Sequence, residues 1–111
     1  AFITQPEQIR RSAELAVILS AQSHLYLAGP SLLKYWGPER TAQVAPVRDW
    51  LKAGLVVAGG TDNKLPYVPE APLTTFYHWV TRDTLAGVLG KDQAISRREA
   101  LRIATLNNAY L

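Results

Sequence analysis

The sequence predicts an α/β domain, rich in helix and built around two short parallel strands. Two unbroken apolar runs, Ala16-Val-Ile-Leu19 and Leu55-Val-Val-Ala58, have the length and continuity of strands covered on both faces. Helix signals rather than a hairpin turn lie between them, so strand, helices and strand form a βαβ unit with a right-handed crossover. The chain has 111 residues, 48% of them apolar, and a chain of this length buries roughly 65% of its unfolded surface, enough for one modest core. It therefore reads as a single segment, 1–111.

The elements follow in order from local chemistry. Thr4-Gln-Pro-Glu7 has the spacing of a capping box, with Pro6 in the first turn where its missing N–H is harmless, and predicts a helix over 6–15. The first apolar run then leads through Ser20-Ala-Gln22. Gly29-Pro30 is expected to break the chain and Ser31 to cap a short helix over 32–36 that ends at Gly37-Pro38. Residues 39–45 are expected to hold another helical turn. From Pro46 a stronger helix runs to about 53, with Val47, Trp50 and Leu51 on one face and Gly54 as its stop. Pro66, Pro69 and Pro72 make 63–72 an irregular loop. Leu73, Phe76, Tyr77 and Val80 share a helical face and predict a helix over 73–82. Gly87 and Gly90 mark the next loop. Ser96-Arg-Arg-Glu99 caps the last helix, whose apolar face is Leu101, Ala104 and Leu106 and which runs to about 107.

Composition removes several function classes. Twelve basic against 9 acidic residues leave a net charge of +3 spread along the chain, which does not make a nucleic-acid stripe. No run approaches the ~18 apolar residues of a membrane span, and no leader pattern opens the chain. Without cysteine there is no disulfide framework and no thiolate zinc site. Nothing fixes the compartment, with the cytoplasm favoured. Residue 1 is Ala rather than Met, the mark of a chain that is processed, trimmed or cut from something longer. No Gly-x-Ser-x-Gly elbow surrounds Ser20, Ser23 or Ser96, and no Gly-rich phosphate cradle occurs.

Two parallel strands share one C-terminal rim, where such sheets place their ligands. The residues arriving there are Gln22-Ser-His24 and Gly60-Thr-Asp62. Imidazole and carboxylate are both ordinary zinc ligands, and either moves a proton. The two glycines before Asp62 let backbone approach a ligand closely. Each residue also has a bland role: Asp62 as the cap of the next turn, His24 as a half-buried structural histidine, His78 as a core residue among aromatics. The tryptophans fit packing, and Arg10-Arg11 and Arg97-Arg98 fit solvated helix faces.

At Gly59-Gly-Thr-Asp62 the chain resembles the C-terminal part of the metal-dependent amidohydrolase family 3 enzymes, the group that includes YtcJ-like proteins. The resemblance runs in order through Ser12-Ala-Glu-Leu-Ala-Val-Ile-Leu-Ser-Ala-Gln-Ser-His24, Gly37-Pro-Glu-Arg40 and Val47-Arg-Asp-Trp-Leu-Lys-Ala-Gly-Leu-Val-Val-Ala-Gly-Gly-Thr-Asp62. It continues through Pro72-Leu73, Val80-Thr-Arg82, Ile95-Ser-Arg-Arg-Glu-Ala-Leu-Arg102 and Thr105-Leu-Asn-Asn-Ala-Tyr110. Ser23 stands where many members have Pro.

This resemblance implies a C-terminal fragment of a (β/α)8 TIM barrel, with 16–22 as the seventh strand and 55–60 as the eighth. It implies a divalent metal, usually zinc, Asp62 as metal ligand and general base, and His24 and Thr61 beside a small-molecule substrate. The reaction it implies is metal-assisted hydrolysis of carbon–nitrogen bonds other than peptide bonds. The ligands of the first, fourth, fifth and sixth strands are missing from this sequence. Two of eight strands fall short of a barrel of ~250 residues, and one carboxylate falls short of the three protein ligands zinc normally takes. The chain alone is expected to be inactive, with uncovered apolar surface at 16–20 and 55–58 awaiting the rest of the barrel or a second copy. The competing readings are a noncatalytic α/β interaction module and a small anion-binding domain using Arg48 and Arg82.

Overall fold

The computed structural model describes residues 3–62 and 72–110. Helix α1 (Pro6–Glu14) leads into β1 (Ile18–Gln22), and α2 (His24–Ala42) and α3 (Val47–Lys52) cross over to β2 (Val56–Gly60). After residue 71 come α4 (Pro72–Thr81), a loop ending in the 3₁₀ turn Lys91–Gln93, α5 (Arg97–Ala104) and α6 (Leu106–Tyr110). β1 and β2 pair in parallel, from Ile18 opposite Val56 to Gln22 opposite Gly60. The fold is the helix-rich α/β arrangement with two parallel strands that the sequence predicts. The irregular loop expected over 63–72 lies outside the described residues except for Pro72, which opens α4.

Both strands start later than their apolar runs, because the first residues of each run close a helix. Ala16 is left-handed at φ 51°, its N–H bonds Ala13 O at 3.1 Å, and Val17 N–H bonds Ser12 O at 2.9 Å. Gly54 repeats this after α3 at φ 80°, with Gly54 N–H on Leu51 O at 3.0 Å and Leu55 N–H on Trp50 O at 3.1 Å. This is the Schellman closure, used twice.

Three helix expectations change. Thr4 does not cap α1: Gln5 does, its N–H donating to Gln8 Oε1 at 2.8 Å, and Thr4 Oγ1 accepts from Trp50 Nε1 at 2.7 Å. Gly29-Pro30 does not break α2. Pro30 leaves the Tyr26 carbonyl without its helical donor, and Leu85 N–H takes that carbonyl at 3.0 Å. The kink falls at Gly37 (φ 77°, ψ 169°), with Pro38 restarting the helix. The last helix is capped at Ser96 as expected, Glu99 N–H reaching Ser96 Oγ at 3.2 Å, but it breaks at Thr105.

The faces of α4 and α5 also differ from the apolar count. α5 buries Ala100 and Ile103, while Leu101 and Leu106 stand 57% and 67% exposed. α4 buries Thr75, His78 and Trp79 and leaves Leu73 and Tyr77 outside. Its polar residues are tolerated inside because they are satisfied: His78 Nδ1 bonds the Asp83 carbonyl at 2.8 Å and Thr75 Oγ1 meets Ser23 Oγ at 2.9 Å.

The core joins Ala21, Leu25, Val47, Trp50, Val57 and Ile103 between the sheet and its helices. Leu55, Val57 and Ala58 are buried, with α3, α5 and α6 packed on β2, so the open surface expected at 55–58 is already covered by the chain itself. At the start of β1 apolar surface is open: Val17 and Ile18 are each 38% exposed, and Leu15, at the end of α1, is 58% exposed. Arg82 is buried, donating through Nε to Leu89 O at 3.0 Å and through its terminal nitrogens to Ala45 O at 3.1 Å and Val44 O at 2.9 Å. Burial lowers its pKa to about 10, which leaves it charged at neutral pH.

Two predictions follow from this packing. Burial pushes His78 down to about 4 from 6.5, Asp83's carbonyl opposing and Arg82 adding to the shift. A base with a lowered folded pKa stabilises fully above 6.5 and loses that contribution as pH falls toward 4. Denaturant melts should show the wild type losing about 3 kcal/mol more than His78→Asn between pH 7.5 and 4; parallel curves would contradict it. At Gly59 an added Cβ would run into the Trp79 ring and meet Ile103 Cγ2 at 2.6 Å, whereas at Gly60 it would meet nothing within 4 Å among the described residues. Gly59→Ala should cost about 3 kcal/mol and Gly60→Ala about 0.5 kcal/mol or less by thermal melting.

Candidate functional site

The parallel register ends with Gln22 opposite Gly60, and two residues past that pair stand His24 and Asp62. His24 Nε2 lies 3.4 Å from Asp62 Oδ2, with the side chains 44% and 48% exposed. His24 opens α2 directly after β1. Ser23 does not cap that helix with its side chain; its hydroxyl ties the rim to Thr75 of α4 instead. Asp62 adopts φ 43°, a left-handed conformation that aspartate tolerates better than most residues. Thr61 faces an adjoining cleft of about 250 Å³, shared with Gly59, Gly60, Pro72, Thr75, Trp79, Ala104 and Asn108. The structure thus brings His24 and Asp62 together and sets Thr61 on the neighbouring wall.

A half-exposed His–Asp pair contributes about 0–1 kcal/mol to stability. Folding alone therefore gives little reason for it, and a ligand can separate the two groups cheaply. Chemically the rim offers an imidazole that donates or accepts a proton and a carboxylate that accepts one. Among the described residues no group of three or more His, Cys, Asp or Glu side chains is placed to hold a metal ion. Zinc normally takes three protein ligands, so the described residues provide suitable ligand types in insufficient number. A complete metal centre does not fit the described residues by themselves.

Other candidates fall away. His78 is 1% exposed and committed to the Asp83 carbonyl. Arg82 is 1% exposed and occupied by backbone carbonyls, and Arg48 donates to the Asp92 carbonyl at 2.9 Å, so the anion-binding pair is not assembled. Trp50 and Trp79 are core residues. Among the described residues no helix is long and apolar enough to cross a membrane. Sequence reasoning missed the residues that support the rim: Thr75 behind Ser23, and Asn107 and Asn108 along β2. Each partner lies about fifty positions away, so no local spacing signals it; the adjacent asparagines in an apolar-patterned helix are the one visible irregularity.

The profile of the Amidohydrolase family matches residues 1–111. An N-substituted formamide deformylase from Arthrobacter pascens is 33% identical over 113 residues, covering 99% of this chain and 20% of that protein. The crystal structure of an uncharacterized metal-dependent hydrolase from Pyrococcus horikoshii OT3 superposes with a TM-score of 0.82 at 28% identity, over 99% of this chain and 23% of that one. The chain therefore spans about a fifth of the length of these two proteins. A match that runs from the first residue to the last, through both strands and the rim they share, places the chain in the amidohydrolase family.

Proposed function

We propose that this chain is the C-terminal part of a metal-dependent hydrolase acting on carbon–nitrogen bonds other than peptide bonds, with β1 and β2 as the seventh and eighth strands of a (β/α)8 barrel. The observation that carries this reading is the level meeting of His24 and Asp62 at the rim where both strands end. Asp62 serves as general base. Its carboxylate takes a proton from the attacking water and passes it to the leaving amine. The same carboxylate is one ligand of the metal, zinc by the family resemblance, whose remaining ligands come from outside this chain. His24 and Thr61 border the space of a small-molecule substrate, and the deformylase relative makes N-substituted formamides the first compounds to try.

The isolated chain is inactive in this reading, because its described residues bring too few ligands to hold the metal. The exposed strip around Val17 and Ile18 is covered by the rest of the barrel or, in the isolated chain, by a second copy. Sedimentation of the isolated chain should show concentration-dependent association that Ile18→Lys weakens. A monodisperse monomer at high concentration would contradict that cover.

The direct test is Asp62→Asn in the full-length protein, assayed on N-substituted formamides. Turnover should fall about 10³-fold with the fold retained. Undiminished turnover would remove Asp62 from the chemistry, whereas no turnover by the unsubstituted protein would favour a noncatalytic interaction module.

A further inference from the structure

Helix α6 contributes no buried residue to the core, and its Leu106 and Tyr110 are 67% and 72% exposed. Apolar packing therefore does not explain why it lies along β2. Its asparagines do. Asn107 Nδ2 donates to Val57 O at 2.7 Å. Asn108 Oδ1 accepts from Gly59 N–H at 2.9 Å, while its Nδ2 donates to Gly59 O at 2.8 Å and to Ala104 O at 3.1 Å.

Alternate residues of a strand turn their N–H and C=O groups to opposite edges. Val57 and Gly59 thus form the set facing away from β1, at positions a neighbouring strand would use. The Asn108 carboxamide meets both polar groups of Gly59 as another peptide would. Gly59 is held on a second side as well, where Trp79 and Ile103 leave no room for a Cβ. Gly60, Thr61 and Asp62 follow directly on this fixed residue.

We infer that Asn108, backed by Asn107, is a positioning residue: it clamps the Gly59 peptide and thereby fixes the height at which Asp62 meets His24. The inference rests on the reading of Asp62 as the base of a hydrolase, and it adds a residue that acts through the Gly59 peptide rather than on the reacting atoms. A residue that merely covered a strand edge would protect Gly59 without influencing turnover.

The test uses Asn108→Ala and Asn108→Asp, the latter keeping an acceptor for Gly59 N–H while losing both donations. In this chain, hydrogen exchange at the Gly59 amide should accelerate about tenfold or more in Asn108→Ala and less in Asn108→Asp. In the full-length protein, Asn108→Ala should lower kcat about tenfold or more while changing KM less than about twofold, with Asn108→Asp recovering part of the loss. Unchanged Gly59 exchange overturns the clamp. Faster exchange with unchanged kcat, while Asp62→Asn is inactive, overturns the positioning role and leaves the hydrolase reading standing. If Asp62→Asn keeps full turnover, the reading of Asp62 as the base fails and this inference fails with it. Should Asn108→Ala not fold, the same comparison made on Asn108→Asp, with a smaller expected drop, decides.

Discussion

Two helix-to-strand junctions of the same geometry set the register on which the rim depends. Three residues separate Glu14 of α1 from Ile18 of β1, and three separate Lys52 of α3 from Val56 of β2. Each junction passes through one left-handed residue, Ala16 or Gly54, and makes the same pair of backbone bonds to its helix. The strands consequently begin level, Ile18 against Val56, and end level. A slip of one residue in either junction would turn the inward side chains of that strand outward, and would also move His24 and Asp62 out of step. Ala16 adopts at a cost of about 1–2 kcal/mol the conformation that Gly54 adopts freely; burial of Ala21 and Leu25 beyond the first junction offsets that cost.

Hydrogen bonds between separate segments stiffen the scaffold behind the rim. Arg82 ties the loop after α2 to the loop after α4 by donating to carbonyls of both. Trp50 ties α3 to the segment before α1 through Thr4, and Leu85 closes the carbonyl that Pro30 leaves open in α2. Asn107 and Asn108 do the same for β2. Each bond joins segments remote in sequence and satisfies groups that would be costly to bury unpaired. What stays half-exposed is the pair at the strand ends, the arrangement expected of groups that exchange partners with a ligand.

The parts of this molecule legible in sequence are those set by short-range chemistry. The apolar runs of β1 and β2, the stop at Gly54 and the capping box at Ser96 each depend on a few adjacent residues. The rim pair was legible too, because parallel strands must end on the same side and His24 and Asp62 follow their runs at similar distances. What was not legible depends on tertiary partners. Pro30 is tolerated because Leu85 arrives to use the freed carbonyl. The inward stripe of α4 carries Thr75 and His78 because Ser23 and Asp83 are there to satisfy them. Asn108 reads as an ordinary surface residue until β2 lies beside it.

We propose that Asp62 reaches the rim as part of a reaction centre completed by residues outside this chain. A crystal structure of the full-length protein grown with zinc tests it most directly. The account predicts an Asp62 carboxylate oxygen at ~2.0–2.2 Å from the metal, with His24 beside it and the Asn108–Gly59 bonds intact. A metal held entirely by other residues, with Asp62 turned to solvent and several ångströms away, would contradict it.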